Sequence, residues 1–395
     1  MVQKTSTANG SPTANSWGAV LSMTLSVAML IASEFMPVSL LTPIAESLDA
    51  TAGQTGQAIS VSGFFAVAAS LLITTLVGKL NRKWVLMAMT ACMLASLVLI
   101  ATAPNFTVLM AARALLGVCI GGFWALATAV IMRLVPAEKV SKALAVMYTG
   151  QATAAAFAAP IGSYLGGLIG WRGVFWALVP IVAINLLWHW FALPSLPSSS
   201  RQSLKSLLSV LKRPYFARGI VAVIFTFAGA FSMFTYLRPF LETFTSLDVG
   251  MLSLMFLVLG CAGFMGTWLG GKLANGRVIL LLKILPTVMG LVTLALLGFG
   301  HIVLIVAMLL GVWGAMNTAM SVGWMSWVSQ NMDDAPEAAG SLIVAAIQGA
   351  ILVGAAFGGV LLDHLGITGT FVGSAALSAI ALLLIGSGRK LLKPA

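Results

Sequence analysis

The chain has 395 residues, 60% of them hydrophobic and 8% charged, with a mean hydropathy of +1.04. That composition excludes a soluble core with its polar shell and specifies a polytopic membrane protein. The net charge of +11 would suggest nucleic acid in a soluble protein, but Lys and Arg here sit in short loops between apolar spans, so no nucleic-acid partner is expected.

Residues 1–16, rich in Ser, Thr, Asn, Ala and Gly, read as a disordered cytoplasmic tail without a signal-peptide layout. The apolar stretches that follow run about 20 residues without strict polar alternation, which favours helices over a barrel. Twelve spans are expected near 17–42, 57–77, 84–103, 108–131, 143–169, 174–193, 219–240, 250–270, 278–299, 302–329, 338–362 and 368–388. The stretch 194–218, with Pro194, Pro197, three consecutive serines and five basic residues, reads as a cytoplasmic linker between six-helix bundles at 17–193 and 219–388, and 389–395 as a cytoplasmic tail. With both termini inside, the inner segments collect most of the Lys and Arg and the outer ones keep only Arg172 and Arg238.

Weak internal symmetry supports a duplicated unit. Gly78-Lys79-Leu80 recurs as Gly271-Lys272-Leu273, and Gly170-x-x-Gly173-x-Phe175 recurs as Gly366-x-x-Gly369-x-Phe371. The same alignment sets Glu34-Phe35-Met36-Pro37 against Tyr236-Leu237-Arg238-Pro239. The fold class expected is an all-α membrane protein, twelve transmembrane helices in two pseudo-symmetric bundles.

Glu34 is the one carboxylate well inside an expected span, where leaving a charge costs at least roughly 2.5 kcal/mol, so it marks proton or substrate traffic. Arg113 lies about as deep in span 4, and the two suggest an ion pair or a proton-gated switch; a permanent bridge fixing helix packing is the alternative. On span 4, Arg113, Gly117, Gly121, Trp124 and Thr128 share one helix face. On span 10, Trp313, Asn317, Ser321 and Trp324 form a stripe of two indoles around an amide, either packing or a cavity wall. Gln151 and Gln348 occupy near-equivalent places in the two halves, and Phe231, Phe234 and Tyr236 add aromatic surface. Amides and aromatics with one acid suit a flat, neutral, hydrogen-bonding solute such as a nucleoside, and a drug-like aromatic fits as well. Cys92, Cys119 and Cys261 lie within spans, and His189, His301 and His364 form no ligand motif, so neither metal nor cofactor is expected. No nucleotide-binding loop or nucleophile elbow occurs, which argues against an enzyme and against direct ATP drive.

These residues resemble the major facilitator superfamily, specifically its twelve-span drug:proton antiporter branch. The loop Gly78-Lys-Leu-Asn81-Arg82-Lys83 looks like that family's gating loop with Asn81 in place of the usual acid. Arg113-x-x-x-Gly117-x-x-x-Gly121 matches its span-4 motif, linked in the family to proton coupling, and Gly150 with Ala159-Pro160-x-Gly162 is close to its antiporter signature, which implies export. Glu34-Phe-Met-Pro-Val-Ser-Leu-Leu-Thr-Pro43, Gly121-Gly-Phe-Trp-Ala125, Phe234-Thr-Tyr-Leu-Arg-Pro239 and Val322-Gly-Trp-Met-Ser-Trp327 look like the purine ribonucleoside efflux group of this branch. The resemblance implies a monomeric inner-membrane protein that exports inosine, guanosine or similar solutes in exchange for protons by alternating access. Export of sugars or drug-like compounds, and a non-transporting receptor or scaffold, are the alternatives.

Overall fold

The computed structural model of the protein describes residues 15–78, 80–136, 139–197, 209–332 and 334–393. The expected tail before Asn15, Lys79 of the gating loop, most of the linker, Asp333 and the side chain of Thr128 lie outside the described residues. The helices are α1 (Asn15–Ser39), α2 (Leu41–Ser47), α3 (Ala52–Leu76), α4 (Arg82–Thr102), α5 (Phe106–Leu134), α6 (Val140–Ala192), α7 (Pro214–Thr235), α8 (Leu237–Thr243), α9 (Val249–Phe299), α10 (Val303–Asn331) and α11 (Pro336–Ile385).

Nine stretches among the described residues are long and apolar enough to cross a membrane, and three of them run 48 to 51 residues. A straight helix of that length would measure roughly 75 Å, more than twice the ~30 Å hydrocarbon core. Each folds back on itself at a non-helical point: Gly170 (φ 72°) in α6, Asn275–Arg277 in α9 and Gly366 (φ 71°) in α11. Glycine takes this left-handed backbone without the Cβ clash that other residues meet there. Nine stretches, three of them doubled, make twelve spans in two pseudo-symmetric six-helix bundles.

One buried core draws its residues from Ala19 to Leu196 and the other mainly from Val210 to Leu391, with Val38, Ile59 and Ala159 crossing from the first half into the second core. The halves meet chiefly through α3 against α11 and α6 against α9.

The backbone corrects the register of the repeat. Gly170 and Gly366 are both left-handed breaks, 196 positions apart, and Leu40 (φ −115°, ψ 11°) and Tyr236 (φ −108°, ψ 17°) are breaks with the same spacing. They open the matching short helices Leu41-Thr-Pro-Ile-Ala-Glu-Ser47 and Leu237-Arg-Pro-Phe-Leu-Glu-Thr243. Tyr236 therefore corresponds to Leu40, and Glu34 corresponds to Ala230, with no polar counterpart. Likewise Gly271-Lys272-Leu273 stays helical, and the turn equivalent to Gly78 (φ 47°) falls at Gly276 (φ 79°).

Candidate functional site

The site is built around a defect in α1. Pro37 lies inside the helix and has no N–H, so the carbonyl of Ser33, four residues earlier, lacks its helical donor. Arg113, fully buried on α5, supplies one: its Nη1 donates to Ser33 O at 2.8 Å. The same guanidinium donates to the main-chain oxygen of Glu34 (3.3 Å), to Ala58 O (3.2 Å) and to Ser62 Oγ (2.8 Å), tying α1 and α3 to α5. Its reach depends on Gly117 and Gly121, where a Cβ would collide with the main-chain oxygens of Ser62 and Ala66.

The expected ion pair between Glu34 and Arg113 is thus replaced by a different arrangement. The guanidinium holds the backbone of residue 34, and ion pairs among the described residues are Arg213–Asp334, Arg238–Glu242 and Lys393–Asp334. The Glu34 carboxylate, 3% exposed, accepts instead from Gln348 Nε2 of α11 at 3.3 Å, a hydrogen bond between the two halves. The amide presents its NH2 group to the carboxyl oxygen, the arrangement required by an ionised carboxylate, which can only accept.

An aromatic wall stands beside this contact. Phe35 stacks on Phe231 (centroids 5.6 Å apart) and meets Phe234 edge-on (6.1 Å), and Phe234 stacks on Trp313 (5.6 Å). Trp313 is fully buried and its indole N–H has no partner among the described residues. Asn317 and Ser321 on the same helix, and Gln151 on α6, are half-buried with no hydrogen-bond partner among the described residues. Trp124 is half-buried and stacks on Tyr148 at 5.9 Å. Two sequence candidates sit elsewhere. Tyr236 is fully buried among Gly53, Gly56, Gly358 and Gly359, donating to Ala355 O at 2.7 Å, and Trp324 is a core residue edge-on to Trp327.

Gly150 and Gly162 hold α6 against α1, because a Cβ at either would run into Thr24 or into Met36 and Ser39; Pro160 lies in the same helix between them. In the gating loop, Gly78 supplies the turn and Asn81 caps α4, accepting from Lys83 N (3.0 Å) and also from Leu196 N (2.8 Å). Asn81 thereby fastens the start of the linker, and Arg82 is buried beside it.

Sequence reasoning missed the polar clasp at the end formed by α2 and α8. Arg238 donates to Ser39 O, the last carbonyl of α1, and pairs with Glu242 (2.7 Å), which in turn accepts from Thr42 (2.5 Å). Asp363 accepts from Thr51 Oγ1 (2.8 Å) and Gly53 N (3.2 Å) at the N-terminus of α3, and Ser60 donates to Leu352 O (3.0 Å). A cation at one helix C-terminus and an anion at another's N-terminus both match the helix dipoles. The Thr51-x-x-Gln54 capping box was the one readable signal, since it fixes where α3 begins. At the opposite end, Asn81–Ser195, Arg133–Pro197 and Arg213–Asp334 each close within one half.

Among the described residues no group of three or more His, Cys, Asp or Glu could hold a metal ion. The model of the Major Facilitator Superfamily matches residues 23–346. The chain belongs to the major facilitator superfamily. It is therefore a multi-pass membrane protein of a transporter family, not of an enzyme family. Within this superfamily it is 45% identical over 383 residues to a protein of Pseudomonas aeruginosa named transcription regulatory protein OpdE, covering 96% of this chain and 95% of the relative. It is 37% identical over 369 residues to the purine ribonucleoside efflux pump NepI of Salmonella paratyphi B, covering 93% of each. A bacterial homologue of the human lysosomal transporter Spinster, solved inward-facing and unoccupied, superposes with a TM-score of 0.73 at 13% identity, covering 95% of this chain and 97% of that one. That likeness shows a shared fold over 95% of this chain.

Proposed function

We propose that the protein is an inner-membrane antiporter that exports purine ribonucleosides, or flat neutral solutes of similar hydrogen-bonding character, in exchange for protons. The observation that carries this reading is the buried Glu34 carboxylate, joined to Gln348 across the two halves and flanked by the Phe35–Phe231–Phe234–Trp313 wall. A buried carboxylate with one neutral partner takes up a proton without breaking an ion pair, and its contact with the other half lets that proton change how the halves meet. The aromatic rings and the unpartnered amides of Asn317 and Gln151 suit a base that stacks and hydrogen-bonds along its edge. The name of the Salmonella relatives supports the substrate class.

In this reading both termini are cytoplasmic, and the end clasped by Arg238, Glu242 and Asp363 faces outside. The molecule then stands sealed to the exterior, ready to load from within. Competition for binding by unlabelled inosine, guanosine, sugars and hydrophobic cations tests the substrate class. Purine nucleosides should compete, and displacement by sugars or cations alone would overturn it. The name of the Pseudomonas relative favours a second reading, a membrane protein that regulates without transporting. Absence of flux for every binding solute in liposomes would establish that reading instead.

A further inference from the structure

Gln348 occupies an unusual position: its amide NH2 is the hydrogen-bond donor to a carboxylate in the other half, while its carbonyl oxygen has no partner among the described residues. Resting on the proton-coupled reading above, we infer that Gln348 is a positioning residue that reports the protonation state of Glu34 to the solute by turning its amide over. While Glu34 is ionised it can only accept, so the amide presents NH2 to it and the oxygen away from it. The site then offers an acceptor to a solute N–H or O–H.

A proton that reaches Glu34 bonds to one of its carboxylate oxygens. The new O–H, in a 3% exposed position, needs an acceptor, and a half-turn of the amide brings the Gln348 oxygen to it. The NH2 group now points away from Glu34. A solute that had donated to the oxygen meets a donor instead and is released. Gln348 is only half-buried, which leaves its amide room to rotate, and Gly63 faces its backbone where a Cβ would press on the Gln348 carbonyl and Leu352.

Apart from Arg113, the charged groups of the surrounding elements are engaged elsewhere. Arg113 of α5 is the charged neighbour of Glu34, and its guanidinium is engaged by Ser33, Glu34, Ala58 and Ser62 oxygens. α3 contains no titratable residue. On α6, His189 lies beside Ser22 and Ser26 of α1; α2 carries Glu46 in its last turn; on α8, Arg238 and Glu242 contact Ser39 and Thr42; on α4, Arg82 and Lys83 open the helix; and on α11, Asp363 binds the start of α3.

The test compares inosine, whose ring N1–H is a donor, with 1-methylinosine, which lacks it, binding to the purified full-length protein across a pH series. In the wild type, inosine should bind more tightly as pH rises, approaching about tenfold per pH unit for one linked proton, whereas 1-methylinosine should vary by no more than about twofold. Gln348→Met should flatten the inosine curve while difference infrared spectroscopy still detects protonation of Glu34. A wild-type slope in Gln348→Met, or equal slopes for the two ligands in the wild type, would overturn the role of Gln348. The ligand comparison needs no variant, so it stands even if Gln348→Met fails to fold. Failure of the wild type to bind inosine at any pH would instead remove the nucleoside reading on which this inference rests.

Discussion

Arg113 repairs the hydrogen bond that Pro37 breaks: its guanidinium reaches the Ser33 carbonyl at 2.8 Å, one turn before the proline, and fixes the backbone that presents Glu34. The two residues should therefore be energetically coupled. Pro37→Ala returns an N–H to Ser33, so Arg113 loses part of its task in that background. A double-mutant cycle of Arg113→Lys and Pro37→Ala, followed by thermal unfolding in detergent, should show a coupling of about 1 kcal/mol. Arg113→Lys alone should cost about 1–3 kcal/mol, since an ammonium cannot span the acceptors that the guanidinium bridges.

Asp363 holds the two halves together at one end, through Thr51 and the N-terminus of α3. Because Asp363 is exposed, its contribution is modest. Asp363→Ala should favour the state open at that end by about 1 kcal/mol, or roughly fivefold in population. Labelling of a cysteine placed at Ser60 by a membrane-impermeant thiol reagent should rise by that factor. An unchanged labelling rate would remove Asp363 from the gate.

The Arg213–Asp334 pair bears on pH dependence by exclusion. The hydrogen bond from Arg213 holds the Asp334 carboxyl well below its ordinary value of 3.8, at about 2. A depressed carboxyl pKa contributes stability that is fully present above the ordinary value and is lost as pH falls from there through about 2. The pair therefore stays intact across the neutral range. Asp334→Asn should leave the neutral-range pH profile of transport unchanged and lower thermal stability only slightly, as measured by flux and unfolding in parallel.

Gly150 lets α6 lie on the N-terminal half of α1, with no space for a Cβ beside Thr24. Gly150→Val should push the helices apart at a cost of about 1–3 kcal/mol, while Gly271→Val, where a Cβ meets open space, should leave expression and flux near wild type. Matched expression levels of the two variants would contradict this packing.

The fold was largely legible because a bilayer forces long apolar helices, and the paired Gly170 and Gly366 motifs mark real backbone breaks. The register of the repeat near Glu34 was not. Pro37 and Pro43 lie six residues apart, both compatible with an alignment to Pro239, and only the breaks at Leu40 and Tyr236 choose between them. Within the site, a charge at matching depth identified Arg113, but depth does not reveal that a proline has left a carbonyl for it to bind. The burial of Trp324 and Tyr236 was equally hidden, because a helical stripe gives spacing and not what packs on it. Asp363 was not singled out, and Arg238 was read only as an outer-segment charge, because charges at helix ends look like ordinary solvated residues until the partner helix is in place.

In the proposed mechanism, proton uptake at Glu34 drives solute export. Inosine flux in proteoliposomes measures it directly, with a pH gradient imposed and wild type compared with Glu34→Gln. Wild-type protein should concentrate inosine against its gradient, toward the more acidic side, and Glu34→Gln should only exchange it to equilibrium. Concentrative transport undiminished in Glu34→Gln, or wild-type flux indifferent to the pH gradient, would contradict it.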